Sequence, residues 1–169
     1  MVLPPGLRRA TLTVHVAVSV GWFGSVLAFL ALALAGWADP DARTADAVAV
    51  ALRLLAGGLL VPLAVLSLLT GVVQSLTTPW GLLRHYWVVV KLALTVGATV
   101  VLVLHLGTLD RIADAGPGAG GRAAALSPVL HSGAAPAVLL VVIALSVHKP
   151  KGLTRYGWRV TGGRRAHHH

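Results

Sequence analysis

The chain has 169 residues, 56% of them hydrophobic and only 11% charged, with a mean hydropathy of +0.81; soluble domains carry roughly 25% charged residues, so a water-soluble globular fold is excluded and the bilayer is the expected solvent. The net charge of +9 would suggest nucleic acid in a soluble protein, but in so apolar a chain it reports membrane topology, and nucleic acid is not an expected partner. The absence of cysteine rules out disulfides, iron–sulfur clusters, thiolate haem ligation and cysteine catalysis.

The first apolar stretch runs over about 11–37. Its end, from Leu32 to Pro40, resembles a signal-peptide cleavage site, but the stretch exceeds the roughly 7 to 15 residues of a signal h-region and carries His15, Ser19 and Trp22. It reads as a retained helix. After the acidic turn Asp39-Pro40-Asp41 a second segment covers about 45–76 and contains Arg53 and Pro62. It is longer than the ~20 residues a span needs, which predicts tilt, an interfacial first turn or a kink at Pro62. A turn over 77–81 and Arg84-His85-Tyr86 lead into a third helix over 87–109. The glycine-rich segment 116–121 reads as a flexible loop, and a fourth helix starts near Pro128 and ends at Lys149-Pro150. The expected fold is all-α: a single four-helix transmembrane bundle over 1–166, up-down-up-down, with a basic tail over 149–166. The terminal run His167 to His169 reads as a purification-tag remnant.

Loop charge sets the expected orientation. Arg8 and Arg9, Arg84, and the six basic residues Lys149, Lys151, Arg155, Arg159, Arg164 and Arg165 face no acid in their segments, whereas the 38–46 and 110–127 loops hold all the acids. Both termini are therefore expected on the cytoplasmic side, the basic segments against anionic lipid.

Polar side chains within spans are the functional candidates. Toward one end of the bundle lie His15, Ser19, Gln74, His85, Lys91 and His148; toward the other lie Arg53, His105 and His131. His105 is about one turn before the third helix ends and His131 about one turn after the fourth begins, so their depths match. Two histidines without thiolate or carboxylate companions suit haem b axial ligation better than structural zinc, which prefers four ligands. Arg53, at comparable depth, could then pair with a haem propionate. The alternative is that both histidines are interfacial and bonded to backbone or water. In the other set, His15, Ser19 and Trp22 share one stripe of the first helix. Lys91 either snorkels to the surface or lies in a polar pocket as charge partner or metal ligand. Ala17, Gly21 and Ser25, extended by Gly24, form a small-residue stripe that predicts close helix packing. Trp37, Trp80, Trp87 and Trp158 lie near segment ends, as an aromatic belt requires. No phosphate-binding loop, zinc-protease helix or nucleophile elbow is present.

The segment from His15 to Gly24, with Trp22 two residues before the glycine, and the run Tyr86-Trp87-Val-Val-Val-Lys91-Leu followed by His105, resemble a group of small bacterial membrane proteins. The group includes the copper-resistance D family, the haem b-containing membrane protoporphyrinogen oxidases, and predicted integral membrane proteins of unknown role. The resemblance implies a place in the bacterial inner membrane, haem b as cofactor, and His15 and Lys91 as the functional histidine and lysine, with Lys91 a second ligand or a charge partner. The chain departs from the oxidases where an arginine and a histidine would follow the first motif: residues 28–33 are wholly apolar. It departs from a soft copper path in having one methionine and no cysteine. The expectation is a haem b-binding, redox-active membrane protein whose partners are lipid and a redox protein or a second copy of the chain. The alternatives are a non-catalytic scaffold or subunit and a small transporter or metal-handling protein.

Overall fold

The structure is a computed structural model. It describes residues 4–39, 41–78, 81–114, 121–150 and 152–159, without the side chains of 42, 109, 112–114, 121–127 and 131. Trp80, Lys151, Arg164, Arg165, the tag run and most of the 116–121 loop lie outside these residues.

Helix α1 spans Pro5–Ala38. It starts six residues earlier than the hydropathy suggests because Pro5 supplies a helix-compatible φ at a position whose N–H would be unpaired anyway. At 34 residues it is ~51 Å long against a hydrocarbon core of ~30 Å, so its basic first turns project beyond the apolar layer. The second span is a continuous rod in three parts: α2 (Ala42–Leu55), a π-helical turn (Ala56–Leu60) and α3 (Val61–Thr77). Asp41 caps α2, its side chain accepting from the Arg43 backbone N–H at 3.0 Å. The irregularity expected at Pro62 falls just before it. Pro62 has no N–H to give, and the preceding Val61 N–H reaches back to the Ala56 carbonyl, one residue further than an α-helix requires.

Helix α4 covers Tyr86–Asp114, five residues beyond the expected end, and α5 covers Gly121–His148. Pro128 is therefore inside α5 rather than at its start. The Ser132 hydroxyl donates to the Pro128 carbonyl at 2.6 Å, the usual back-bond of a helical serine onto its own helix. Lys149, at φ 42°, ends the helix in the left-handed region ahead of Pro150.

Four helices are long and apolar enough to cross a membrane: Pro5–Ala38, Arg43–Thr77, Tyr86–Thr108 and Pro128–His148. Among the described residues there is no strand; His85 and Leu153 form one isolated bridge. The spans pack first on second, second on third, third on fourth, and fourth on first, closing a four-cornered bundle. Trp22, Val26, Phe29 and Ala33 of α1 are buried against Leu52, Ala56, Leu60 and Ala64 of the second span and Leu139 of α5. Large side chains thus sit on small ones. In lipid, such shape complementarity and dispersion hold helices together, because burial removes little apolar surface from water. The outward residues Leu12, Val16, Val20, Leu27 and Leu34 of α1 and Leu54, Leu104 and Val147 elsewhere are exposed, which only a lipid surround satisfies.

The small-residue stripe of α1 does not make the closest packing. A Cβ on Gly21 would meet Leu63 only at 3.8 Å and one on Gly24 would meet nothing within 4 Å, whereas one on Gly36 would lie 2.7 Å from Val48 Cγ1. The tight crossing is therefore at Gly36, where α1 turns back into α2.

At the other end of the bundle, residues 152–157 dock on the loop before α4. Thr154 N–H donates to the Arg84 carbonyl at 2.9 Å, its hydroxyl donates to the Leu83 carbonyl at 2.6 Å, and Gly152 O accepts from Tyr86 N–H at 3.3 Å. The last of these satisfies one orphan donor at the start of α4. Gly157 lies against the Arg84 carbonyl, where a Cβ would collide with it. The first part of the basic tail is thus held by backbone hydrogen bonds, with Tyr156 and Trp158 exposed beside it.

Candidate functional site

Two rows of polar and small residues meet where α1 packs on α3. On α1, His15, Ser19 and Trp22 repeat at i, i+4 and i+7; on α3, Ser67, Thr70, Gly71 and Gln74 repeat at i, i+3, i+4 and i+7. His15 Nδ1 lies 2.9 Å from Thr70 Oγ1, and Ser19 Oγ lies 2.9 Å from Ser67 Oγ.

The Thr70 hydroxyl has a single proton, and its shortest contact with an acceptor is the Leu66 carbonyl at 2.7 Å. Thr70 therefore donates down its own helix and accepts from the His15 Nδ1–H. With the Thr70 proton so directed, the neutral imidazole is assigned the Nδ1–H tautomer, in which Nε2 keeps its lone pair. Among the described residues Nε2 has no hydrogen-bond partner. Gly71 forms the wall of this seat: a Cβ there would stand 3.2 Å from His15 Cε1 and displace the ring.

Lys91 of α4 is half-buried. Gln74 is one turn along α3 from Thr70, and its Nε2 is buried without a partner among the described residues. Trp22 is 4% exposed and its Nε1 is likewise unpartnered. His15, Ser19, Gln74 and Lys91 are thus gathered at one end of the bundle. His85 instead bridges to Leu153 in the loop, and His148 Nδ1 pairs with the Ala144 carbonyl of its own helix at 3.0 Å. Ser67, Thr70 and Gly71 escape a residue-by-residue scan for titratable groups. Their signal is the unbroken stripe of polar or small residues at helical spacing inside an apolar segment.

In the other half, Arg53 Nε pairs with Asp110 Oδ1 at 2.8 Å, tying α2 to α4 with both side chains about half exposed. A propionate at Arg53 would have to share the guanidinium with this carboxylate. His105 is half-buried on α4, which packs on α5. His131 is within α5, but its side chain lies outside the described residues, so the expected His105–His131 pairing has no geometry to report. No group of three or more His, Asp or Glu side chains that could hold a metal ion occurs among the described residues.

The donor chemistry of the His15 seat suits a haem iron: an imidazole backed by the Thr70 hydroxyl and packed against Gly71, with Nε2 unpartnered among the described residues. Comparison with protein-family models, curated proteins and solved structures gives no match to this chain.

Proposed function

We propose that the chain is a haem b-binding multi-pass protein of the bacterial cytoplasmic membrane, in which His15 Nε2 ligates the haem iron. The observation that carries this reading is the commitment of the Thr70 proton to Leu66, which turns the His15 Nδ1–H inward and frees Nε2. A ligating imidazole is held in this way by a partner behind it, which also raises its basicity. Bound there, haem supplies one-electron chemistry, as an electron carrier or within an oxidoreductase. The protein's part is to hold the ring through Thr70 and to pin α1 on α3 through Ser19 and Ser67.

The helices run up-down-up-down with both termini cytoplasmic. Short connections favour antiparallel neighbours. The hydrogen bonds from 152–154 to 84–86, and the ion pair between Arg53 and Asp110, support this order. Arg8, Arg9, Arg84, Lys149, Arg155 and Arg159 belong to one end with no acid in their segments, which supports its cytoplasmic placement.

Spectra of the detergent-purified protein, oxidised and reduced, from cells supplied with haem precursor test the reading. A Soret band in the wild type that His15→Ala removes and His105→Ala leaves intact is the expected result. A band lost in His105→Ala or His131→Ala but kept in His15→Ala would move ligation to α4 and α5, with Arg53 at a propionate. A colourless wild type would overturn the haem reading and leave a scaffold or transport role.

A further inference from the structure

Where α1 turns back into α2, an open groove of about 450 Å³ is lined by Leu32 of α1 and by Arg43, Thr44, Ala47, Val48 and Ala51 of α2. The five α2 residues repeat at i, i+1, i+4, i+5 and i+8, so they form one continuous face, ~12 Å long from Arg43 to Ala51. Beyond the mouth the groove is apolar, walled by Ala47, Val48 and Ala51 and by Leu32, six residues before the end of α1. Its polar groups are confined to the mouth, where Arg43 and Thr44 belong to the first turn of α2 and to the start of the span Arg43–Thr77. Among the described residues the Arg43 guanidinium and the Thr44 hydroxyl make no hydrogen bond or ion pair.

This order of groups is that of a glycerophospholipid read from headgroup to chain. A guanidinium binds phosphate oxygens in pairs and a hydroxyl can add a third donor, while the wall below offers only hydrocarbon to an acyl chain. The turn before α2 then selects among headgroups. Asp39 accepts from the Asp41 N–H at 2.9 Å and Asp41 from the Arg43 N–H at 3.0 Å, so two carboxylates are folded into the turn that leads to Arg43. Segment 39–46 holds three aspartates against one arginine. That excess opposes a headgroup of net negative charge and favours one that carries an ammonium beyond its phosphate. A primary ammonium has N–H donors for carboxylates, whereas a quaternary one has none.

We propose that the groove between α1 and α2 holds one ethanolamine phospholipid, its phosphate on Arg43 and Thr44, its ammonium toward the Asp39–Asp41 turn and an acyl chain along Leu32, Val48 and Ala51. The inference is independent of the haem reading, which concerns the opposite end of the bundle.

Native mass spectrometry of the full chain, released from detergent containing equal amounts of ethanolamine, glycerol and choline phospholipids with the same acyl chains, tests it. The wild type should retain one ethanolamine lipid at least ~10-fold over the other two, the worth of one charge-assisted hydrogen bond. Arg43→Gln should lower the occupancy of all three about as much, and Ala47→Trp should empty the groove with the arginine intact. Asp39→Asn combined with Asp41→Asn, which keeps a capping side chain at the start of α2, should hold total occupancy and erase the discrimination against the glycerol lipid. Equal retention of the three lipids by the wild type overturns the proposal, as does a preference for the glycerol lipid, which would mean that the cation alone recruits. Wild-type occupancy in Arg43→Gln also overturns it, whether or not the tryptophan variant folds. So does loss of the lipid in Arg155→Gln combined with Arg159→Gln, which would place it at the other end of the bundle. An ethanolamine preference unchanged by the two asparagines overturns the headgroup assignment.

Discussion

The hydroxyl of Thr70 donates a hydrogen bond to the carbonyl of Leu66 and, so oriented, accepts from His15 Nδ1–H, so one side chain on α3 bears on which nitrogen of a histidine on α1 is available. Thr70→Val keeps the shape and removes both functions. It should lower haem affinity by about 10- to 100-fold, the usual cost of losing the partner behind a ligating histidine. Thr70→Ser should restore most of it. Gly71→Ala, which pushes on the ring from the side, should shift the reduced-state absorption bands, while Gly97→Ala, with nothing within 4 Å, should not. Titration of the cofactor-free protein with haem reads all of these, and unchanged affinity in Thr70→Val would remove the argument for His15.

At the α1–α2 crossing, Gly36→Ala should destabilise the protein by about 1–3 kcal/mol, because a Cβ there would stand 2.7 Å from Val48 Cγ1 and the helices cannot separate without losing the contacts around them. Val48→Ala in the same chain should recover most of the loss. Unfolding in mixed detergent measures both, and additive effects in the double variant would show that the two residues do not press on each other.

Arg53 and Asp110 are about half exposed, and such pairs contribute about 0–1 kcal/mol. Arg53→Gln should therefore leave both stability and haem content close to wild type. A large loss of haem on this substitution would relocate the cofactor to the other half of the bundle.

Gly157→Ala would drive a methyl group into the Arg84 carbonyl and should detach residues 152–159 from the loop. Thr154→Val, which removes the hydroxyl that joins Leu83 to Gly157, should do the same more gently. Limited proteolysis should cut both variants in this segment faster than the wild type, with the helices protected. Equal protection in all three would mean that charge against the membrane, rather than these hydrogen bonds, holds the tail.

The topology is open to direct labelling, because the chain has no cysteine. In intact cells an impermeant thiol reagent should modify a cysteine placed at Arg43 and spare one placed at Arg155. The reverse pattern would invert the proposed orientation.

Much of the fold was legible in the sequence because apolar length is a strong signal: all four spans were found within a few residues at most ends. The misplacements share a physical origin. Helices continue past the apolar layer wherever backbone hydrogen bonds can still form, so α1 begins at Pro5 and α4 continues to Asp114. Pro128 reads as a helix start but is tolerated inside α5. For the site, hydropathy and charge singled out His15 and Lys91, but not Thr70 or Gly71. A hydroxyl and a glycine become informative only once the packing of α1 on α3 shows what they face.

The π turn at Ala56–Leu60 holds one residue more than an α-turn would, and one residue corresponds to ~100° of rotation about the helix axis. It therefore sets the phase between the two halves of the second span, directing Arg53 to Asp110 above it and Thr70 to His15 below it. Gly57 and Gly58 have open space where a Cβ would go, so alanine at either position is sterically free. Loss of one residue from this stretch is another matter. It would let the turn relax to α-helical spacing and swing one half of the span away from its partners, so the geometry around His15 depends on chain length in a segment that never touches it.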